Sequence, residues 1–391
     1  MLICLAQPAG KADGLLTQVG EDINAIQPKR DTPYVEQWMG GFQFAPSRND
    51  NIDISYIGNH GVKLIFGPTG AAVQQNQLPI QDLSRGLALL NPVANPFAGF
   101  ITNSACGLDQ PTVTAQQLLR PFPQFCDISV VQQPSDSSSY NALRANYTHR
   151  WSGGLQVLAS FTWSKYLDES SGPEGWATVN STQILNSYDL AKERSLDYND
   201  IPKSLVLSYI YALPVGHGKK FGSSMNKVVD GFVGGWQVSG VTTFKSGFPV
   251  AIGTLVNNSG TISGGQRPNI VGDPNRGSCP GLNGGPPIPV HTVNCWFNTS
   301  AFTQPAAFTL GDAPRTLSNM RVQGINNWDL GVEKWFNIKE KARVQFRTEF
   351  FNAFNRVYLF APDSNLFSPT FGSIQNAGLQ RQVQLGVKGY W

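Results

Sequence analysis

The sequence predicts an all-β fold, an antiparallel transmembrane β-barrel with long extracellular loops and short periplasmic turns. Three observations predict it: runs mostly of nine to thirteen residues with period-two alternation, aromatic residues crowded at the ends of those runs, and links that alternate short with long. Strands of ordinary sheets run about five or six residues, whereas a tilted strand needs about nine to eleven to cross a bilayer. Alternation alone does not separate a barrel from a soluble sandwich, because both put apolar side chains on one face. Strand length and link pattern decide for the barrel.

The first strong run, YVEQWMGGFQF (34–44), sets Trp38, Phe42 and Phe44 against Gln37 and Gln43. Runs at 51–58 and 139–149 follow. GLQVLASFTWSKY (154–166) then sets Leu155, Val157, Ala159, Phe161 and Trp163 against Gln156, Ser160, Thr162 and Ser164. SLVLSYIYAL (204–213) aligns Leu205, Leu207, Tyr209 and Tyr211, and the run at 234–246 sets Trp236, Val238, Thr242 and Phe244 against Gln237, Ser239, Thr243 and Lys245. After 325–336, ARVQFRTEF sets Ala342, Val344, Phe346, Thr348 and Phe350 against Arg343, Gln345, Arg347 and Glu349. The last run, 379–391, alternates up to Trp391.

Aromatic pairs close several runs: Tyr147 and Trp151, Trp163 and Tyr166, Trp335 and Phe336, Tyr390 and Trp391. In a membrane barrel such rings form the interfacial girdles. The links APSRND, RWSG and NIKE are short, the one after 204–213 is about twenty residues, and those after 51–58, 154–166, 234–246 and 341–354 are longer. Short periplasmic turns against long outer loops is the barrel rule. With that assignment the last strand ends in the periplasm and the first begins outside. Barrels of even strand number begin in the periplasm, so nine strands starting outside predict a C-terminal fragment. Residues 1–33 read as a lead-in or remnant of an upstream extracellular loop, and 34–391 as a partial barrel. DISVVQQ (127–133) and FPVAIGT (248–254) are expected to extend hairpins above the membrane, and 273–289, rich in Gly and Pro, to be an exposed loop without regular structure.

Composition agrees. Only 14% of the 391 residues are charged, against about 25% in soluble globular proteins. A net charge of +3, with no basic cluster interleaved with stacking aromatics, excludes a nucleic-acid partner. No apolar run is long enough for a transmembrane helix, and MLICLAQPAG lacks the basic n-region of a secretory signal. Cys106 with Cys126, and Cys279 with Cys295, flank two loop segments and suggest two disulfides, with Cys4 left over. The spacing does not fix the pairing. Zinc is the alternative, without a CxxC or nearby His pair to support it.

Residues 34–391 resemble the C-terminal barrel of TonB-dependent outer-membrane receptors, specifically the Oar-like group with a carboxypeptidase-regulatory-like domain. The stretches that carry the resemblance, in order, include SYIGNHGVKL, NPVANPFAGFI, SYNALRANYTHRWSGGLQVLASFTWSKYLDES, GGWQVSGVTTFKSGFPV, NNWDLGVEKWF and RVQFRTEFFNAFN. The resemblance covers no plug domain and no TonB box. It implies a bacterial outer-membrane location, energised import of a scarce ligand through a larger barrel, and a TonB complex engaged through a plug that is not in this sequence. It also implies that Leu385, Val387 and the terminal Trp391 are read by the barrel-assembly machinery; Gly389 departs from the large apolar residue usual there.

Lys245, Glu333, Arg343, Gln345, Arg347 and Glu349 are expected to face the lumen, as a satisfied polar network or as an electrostatic path for an anionic ligand. Asp168, Glu169 and Glu174 could meet a cation at an outer loop, or water. His60, His149, His217 and His291 are scattered, GHGKKFG (216–222) reads as a periplasmic turn, and no motif of a hydrolase or metalloprotease is present. No enzyme chemistry and no cofactor are expected. Two other readings stay open: a secreted β-sandwich that binds glycans, and a structural or adhesive surface barrel without transport.

Overall fold

The computed structural model describes residues 14–29, 31–66, 73–131, 133–170, 184–262, 264–281, 284–339 and 342–391. Nine long strands pair in chain order: β1 (Tyr34–Phe44), β2 (Asp50–Ile65), β3 (Pro134–Ser152), β4 (Leu155–Asp168), β5 (Lys203–Ala212), β6 (Trp236–Lys245), β7 (Ile325–Lys339), β8 (Ala342–Phe351) and β9 (Gln382–Tyr390). All eight pairings are antiparallel, and the short Ser195–Leu196 strand adds to the end of β4. Among the described residues β1 and β9 are paired on one side only, so the sheet is open. Among the described residues no helix is long and apolar enough to cross a membrane.

Residues directly opposite in an antiparallel pair share a face, so the register extends each face across the wall. One row runs Phe42–Ile54–Ala145–Phe161–Leu205–Phe244, and the next runs Phe44–Ile52–Tyr147–Ala159–Leu207–Thr242. The opposite face carries Gln43, Asp53, Asn146, Ser160, Val206 and Thr243 in one row. Apart from glycines, Ala142 is the one buried apolar residue on the nine strands. A soluble sandwich would bury its whole apolar face; this sheet leaves it open.

The β3–β4 turn shows why the short links are short. Gly153 and Gly154 both have positive φ, 59° and 84°, the requirement of a two-residue type I′ hairpin. At the other end the strands outrun a bilayer. β3 has 19 residues and β2 has 16, and at about 3.3 Å per residue a 19-residue strand exceeds the hydrocarbon thickness roughly twofold. The surplus is a paired rim, with Leu64 opposite Asp136 and Ile65 opposite Pro134.

Extensions above the membrane therefore exist, but two of the expected ones are something else. Ile128–Val131 lies between Ile23–Ile26, parallel, and Val73–Gln74, antiparallel, in a separate three-stranded sheet. Gly253–Thr254 pairs in parallel with Asn365–Leu366 from a different link. Each segment is short, and it pairs with strands remote in sequence in place of its neighbouring strand. Two further expectations need correction. Residues 273–289 are not without regular structure, since Ser278–Cys279 pairs with Ile288–Pro289. The lead-in 1–33 is not irregular throughout, since Ile23–Ile26 is a strand.

The hydrophobic core lies in the links. Val250, Ile252, Phe297, Phe302, Leu317, Met320 and Leu366 form the largest buried cluster, with the rings of Phe297, Phe302 and Phe371 meeting edge to face at 5.2–6.2 Å. Two smaller clusters centre on Leu78, Leu83 and Leu89, and on Ile101, Leu108 and Val113. The long loops form a packed cap over one end of the wall.

Candidate functional site

The wall has two faces of opposite character. On the outer face of β4, Leu155 to Trp163 makes a nine-residue apolar band, followed by Lys165. On β3 the same face is bounded by polar residues at both ends. Asn141 accepts from Tyr56 Oη at 2.6 Å at the cap end, and His149 Nδ1 meets Asp50 Oδ1 at 2.8 Å at the turn end. Asp50 also accepts from Tyr147 Oη at 2.8 Å. A band of about nine residues is the crossing length of a tilted strand. Exposure decides what it faces: Phe42 is 68% exposed, Trp163 58%, Leu385 69% and Val387 70%. So broad an apolar surface suits lipid and not water.

Two glycines on this face serve as seats for rings. A Cβ at Gly58 would fall 2.0 Å from the indole of Trp38, directly opposite, and one at Gly240 would fall 2.7 Å from the ring of Tyr209, also directly opposite. The ring lies over the bare backbone and seals a stretch that has no side chain of its own.

The face opposite the apolar band carries Lys245, Glu333, Arg343, Gln345, Arg347 and Glu349. Glu333 sits opposite Arg347, and Gln345 Nε2 donates to Glu333 Oε2 at 2.6 Å. Arg347 Nε lies 3.4 Å from Glu349 Oε1. These four form one cluster across β7 and β8. Arg343 stands apart near the short-turn end, its guanidinium 4.8 Å from the centre of Trp335 and 5.1 Å from that of Tyr390. Lys245 is at the cap end, opposite Ile325 and Ser204. The structure thus groups four of the six and separates two.

The aromatic girdle is thinner than expected. Trp335 and Tyr390 share the inner face with Arg343, and Tyr166 packs on Tyr140 there with ring centres 5.9 Å apart. Phe336, Trp163, Tyr147 and Trp391 lie on the outer face. Adjacent residues of a strand point to opposite faces, so a pair such as Trp335–Phe336 supplies one ring to each side.

Above the wall, buried ion pairs tie the cap down. Arg315 pairs with Asp168 at the end of β4, Arg267 with Glu193, and Arg321 with Asp200 at 2.6 Å. Arg120 bonds Asp127 Oδ1 at 2.6 Å and Asn76 O at 2.5 Å. Burial pushes the Tyr198 hydroxyl up to about 12, and its ring lies 5.4 Å from the Arg315 guanidinium. These partners are up to 147 residues apart, which is why sequence spacing does not reveal them. Asp168 is thereby neutralised, and Glu169 lies 3.5 Å from Arg194, so neither is a free cation ligand; Glu174 lies outside the described residues. No cluster of His, Cys, Asp and Glu among the described residues could hold a metal ion.

Disulfides join Cys106 to Cys126 and Cys279 to Cys295, both inside the cap; Cys4 lies outside the described residues. Between cap and wall, a cleft of about 570 Å³ mixes Gln323, Asn326, Asn352 and Arg356 with the apolar side chains of Val357 and Leu379.

Comparison with known proteins adds the family. The model of the outer membrane beta barrel domain family matches residues 4–384. Among curated proteins none matches. Among solved structures, the chain is similar to the outer membrane transporter YddB from Escherichia coli, at 9% identity and TM-score 0.44, over 95% of this chain and 34% of that one. It is also similar to P. aeruginosa FpvA bound to heterologous pyoverdines, at 9% identity and TM-score 0.34, over 91% of this chain and 27% of that one. For the copper transporter OprC the values are 8% and 0.33, over 93% of this chain and 32% of that one. The chain spans about a third or less of the length of these structures.

Proposed function

Because the chain belongs to the outer membrane beta barrel domain family, and so sits in the bacterial outer membrane, we propose that it is the C-terminal wall of a TonB-dependent receptor of the Oar-like group. Such a receptor is a transporter and not an enzyme. The observation that carries this reading is the pairing of one lipid-type face with one polar face in a single open sheet, capped on one side by folded loops. Strands absent from this sequence close the barrel against the edges of β1 and β9, since free edges invite mispairing.

In this reading the cap and its cleft capture a scarce ligand outside. The plug, supplied by the rest of the protein, gates the lumen against Glu333, Gln345, Arg347 and Glu349. The TonB complex pulls on that plug from the periplasm. Residues 34–391 form the barrel portion, and residues 1–33 end the preceding outer loop; the pairing of Ile23–Ile26 with a strand of the cap supports this. Leu385, Val387 and Trp391 present the assembly signal, all on the outer face and exposed.

The test is the gene upstream of the Met1 codon. An open frame that continues into a plug domain and a TonB box is expected. An in-frame stop directly upstream, in an expressed gene, contradicts energised transport.

A further inference from the structure

We propose that the link 213–235 is a lipid anchor: its helix Lys227–Val233 rests on the outside of the wall and seats in the anionic phospholipid headgroups of the periplasmic leaflet. The inference rests on the outer face of the sheet lying in lipid.

The link joins β5 to β6 and so emerges at the same end as the Gly153–Gly154 turn. On β7, Lys334 lies opposite Trp236 and Phe346, which places it on the lipid face. A lysine there is costly unless its charge is satisfied. Lys334 is 2% exposed, and its ammonium donates to Gly234 O and, at 3.5 Å, to Asp230 O. Those are carbonyls at the C-terminal end of the helix, where the backbone dipole favours a cation. The rings of Trp236 and Phe336 flank the same ammonium at 5.5 and 5.1 Å. Trp236 Nε1 donates to Phe232 O at 2.9 Å. Lys334 and Trp236 thus latch the helix to the outer surface, away from the lumen.

The outward surface of the helix is apolar. Val228 is 72% exposed, Phe232 74%, Val233 45% and Val229 42%, with Phe221 beside them at 56%. Lys219, Lys220 and Lys227 are exposed on the same link, with Lys220 Nζ 5.6 Å from the centre of the Phe221 ring. The acidic residue of the helix is turned inward, since Asp230 Oδ1 accepts from the His217 amide at 2.6 Å. Exposed apolar side chains and exposed lysines on one link, continuous with a lipid-facing wall, match the periplasmic headgroup layer in both polarity and charge.

The experiment uses the full chain, reconstituted in phosphatidylethanolamine vesicles with or without phosphatidylglycerol, in a Cys4→Ser background. A bimane label is placed through Phe232→Cys, and in a second sample through Leu207→Cys in mid-wall. Quenching by a lipid with a shallow doxyl group is compared with quenching by aqueous iodide. The label at position 232 is expected to be quenched by the shallow lipid and shielded from iodide. Combining Lys219→Glu, Lys220→Glu and Lys227→Glu should reduce that lipid quenching by about twofold or more, and only when phosphatidylglycerol is present. Free iodide access at 232, with lipid quenching retained at 207, overturns the anchor and leaves the wall intact. Lipid quenching at neither position overturns both. An equal effect of the three substitutions in both lipids removes the anionic headgroup.

Discussion

At Gly240 the wall depends on what is missing. Tyr209 lies over the bare backbone and its hydroxyl approaches Thr242 Oγ1 at 3.4 Å. Gly240→Val would push the ring off; overpacking of this kind costs about 1–3 kcal/mol, read as a lower urea midpoint of the detergent-folded chain. Arg315 makes the opposite case. Arg315→Ala leaves Asp168 buried without its ion pair, a loss of about 3–5 kcal/mol, measured as faster amide exchange in the cap. Acid should loosen the cap at another residue. Burial raises the Asp363 carboxyl, but bonds from Ser368, Thr370 at 2.6 Å and the Asn365 amide at 3.0 Å outweigh it and hold the group below its ordinary value. A depressed carboxylate stabilises the fold above its unfolded pKa of about 3.9, and that contribution is lost as pH falls through the folded value. Exchange around 363–370 is therefore expected to accelerate below about pH 4, and Asp363→Asn should abolish that step. Side-chain direction was legible from alternation at Lys245 or Arg347. The partner of Lys334 was not, because its carbonyls come from a link about 100 residues away.

At the scale of elements, all nine strands were readable from period two, with ends shifted by up to seven residues at β2. That shift has a reason: NHGVKL at the end of β2 pairs with the rim above the bilayer, where neither face needs to be apolar, so alternation fades while the ladder continues. The cap was the illegible part. Its strands are two to four residues long, and several pair with partners far off in sequence, and neither fact leaves a period in the sequence. Its disulfides close loops separated by 20 and 16 residues, and each contributes about 3 kcal/mol by restricting the unfolded chain. Reduction is expected to open 106–126 and 279–295 to limited proteolysis while the strands keep their protection; equal loss in both would mean that cap and wall unfold as one unit.

The whole molecule is a wall without a core and a cap with one. Its buried apolar residues gather in the links, and its strands carry their apolar side chains outward over a band of about nine residues, the length needed by a tilted membrane strand. That inversion separates an outer-membrane wall from a secreted sandwich, and it sets the most direct test. Single spin labels placed in turn along β9, from Gln382 to Lys388, in the reconstituted chain report access to oxygen dissolved in lipid and to an aqueous nickel chelate. A period of two is expected, with oxygen reaching Val383, Leu385 and Val387 and nickel reaching Gln384, Gly386 and Lys388. Nickel access at all of these positions, or shielding of the three apolar positions from both reagents, would contradict a wall in lipid.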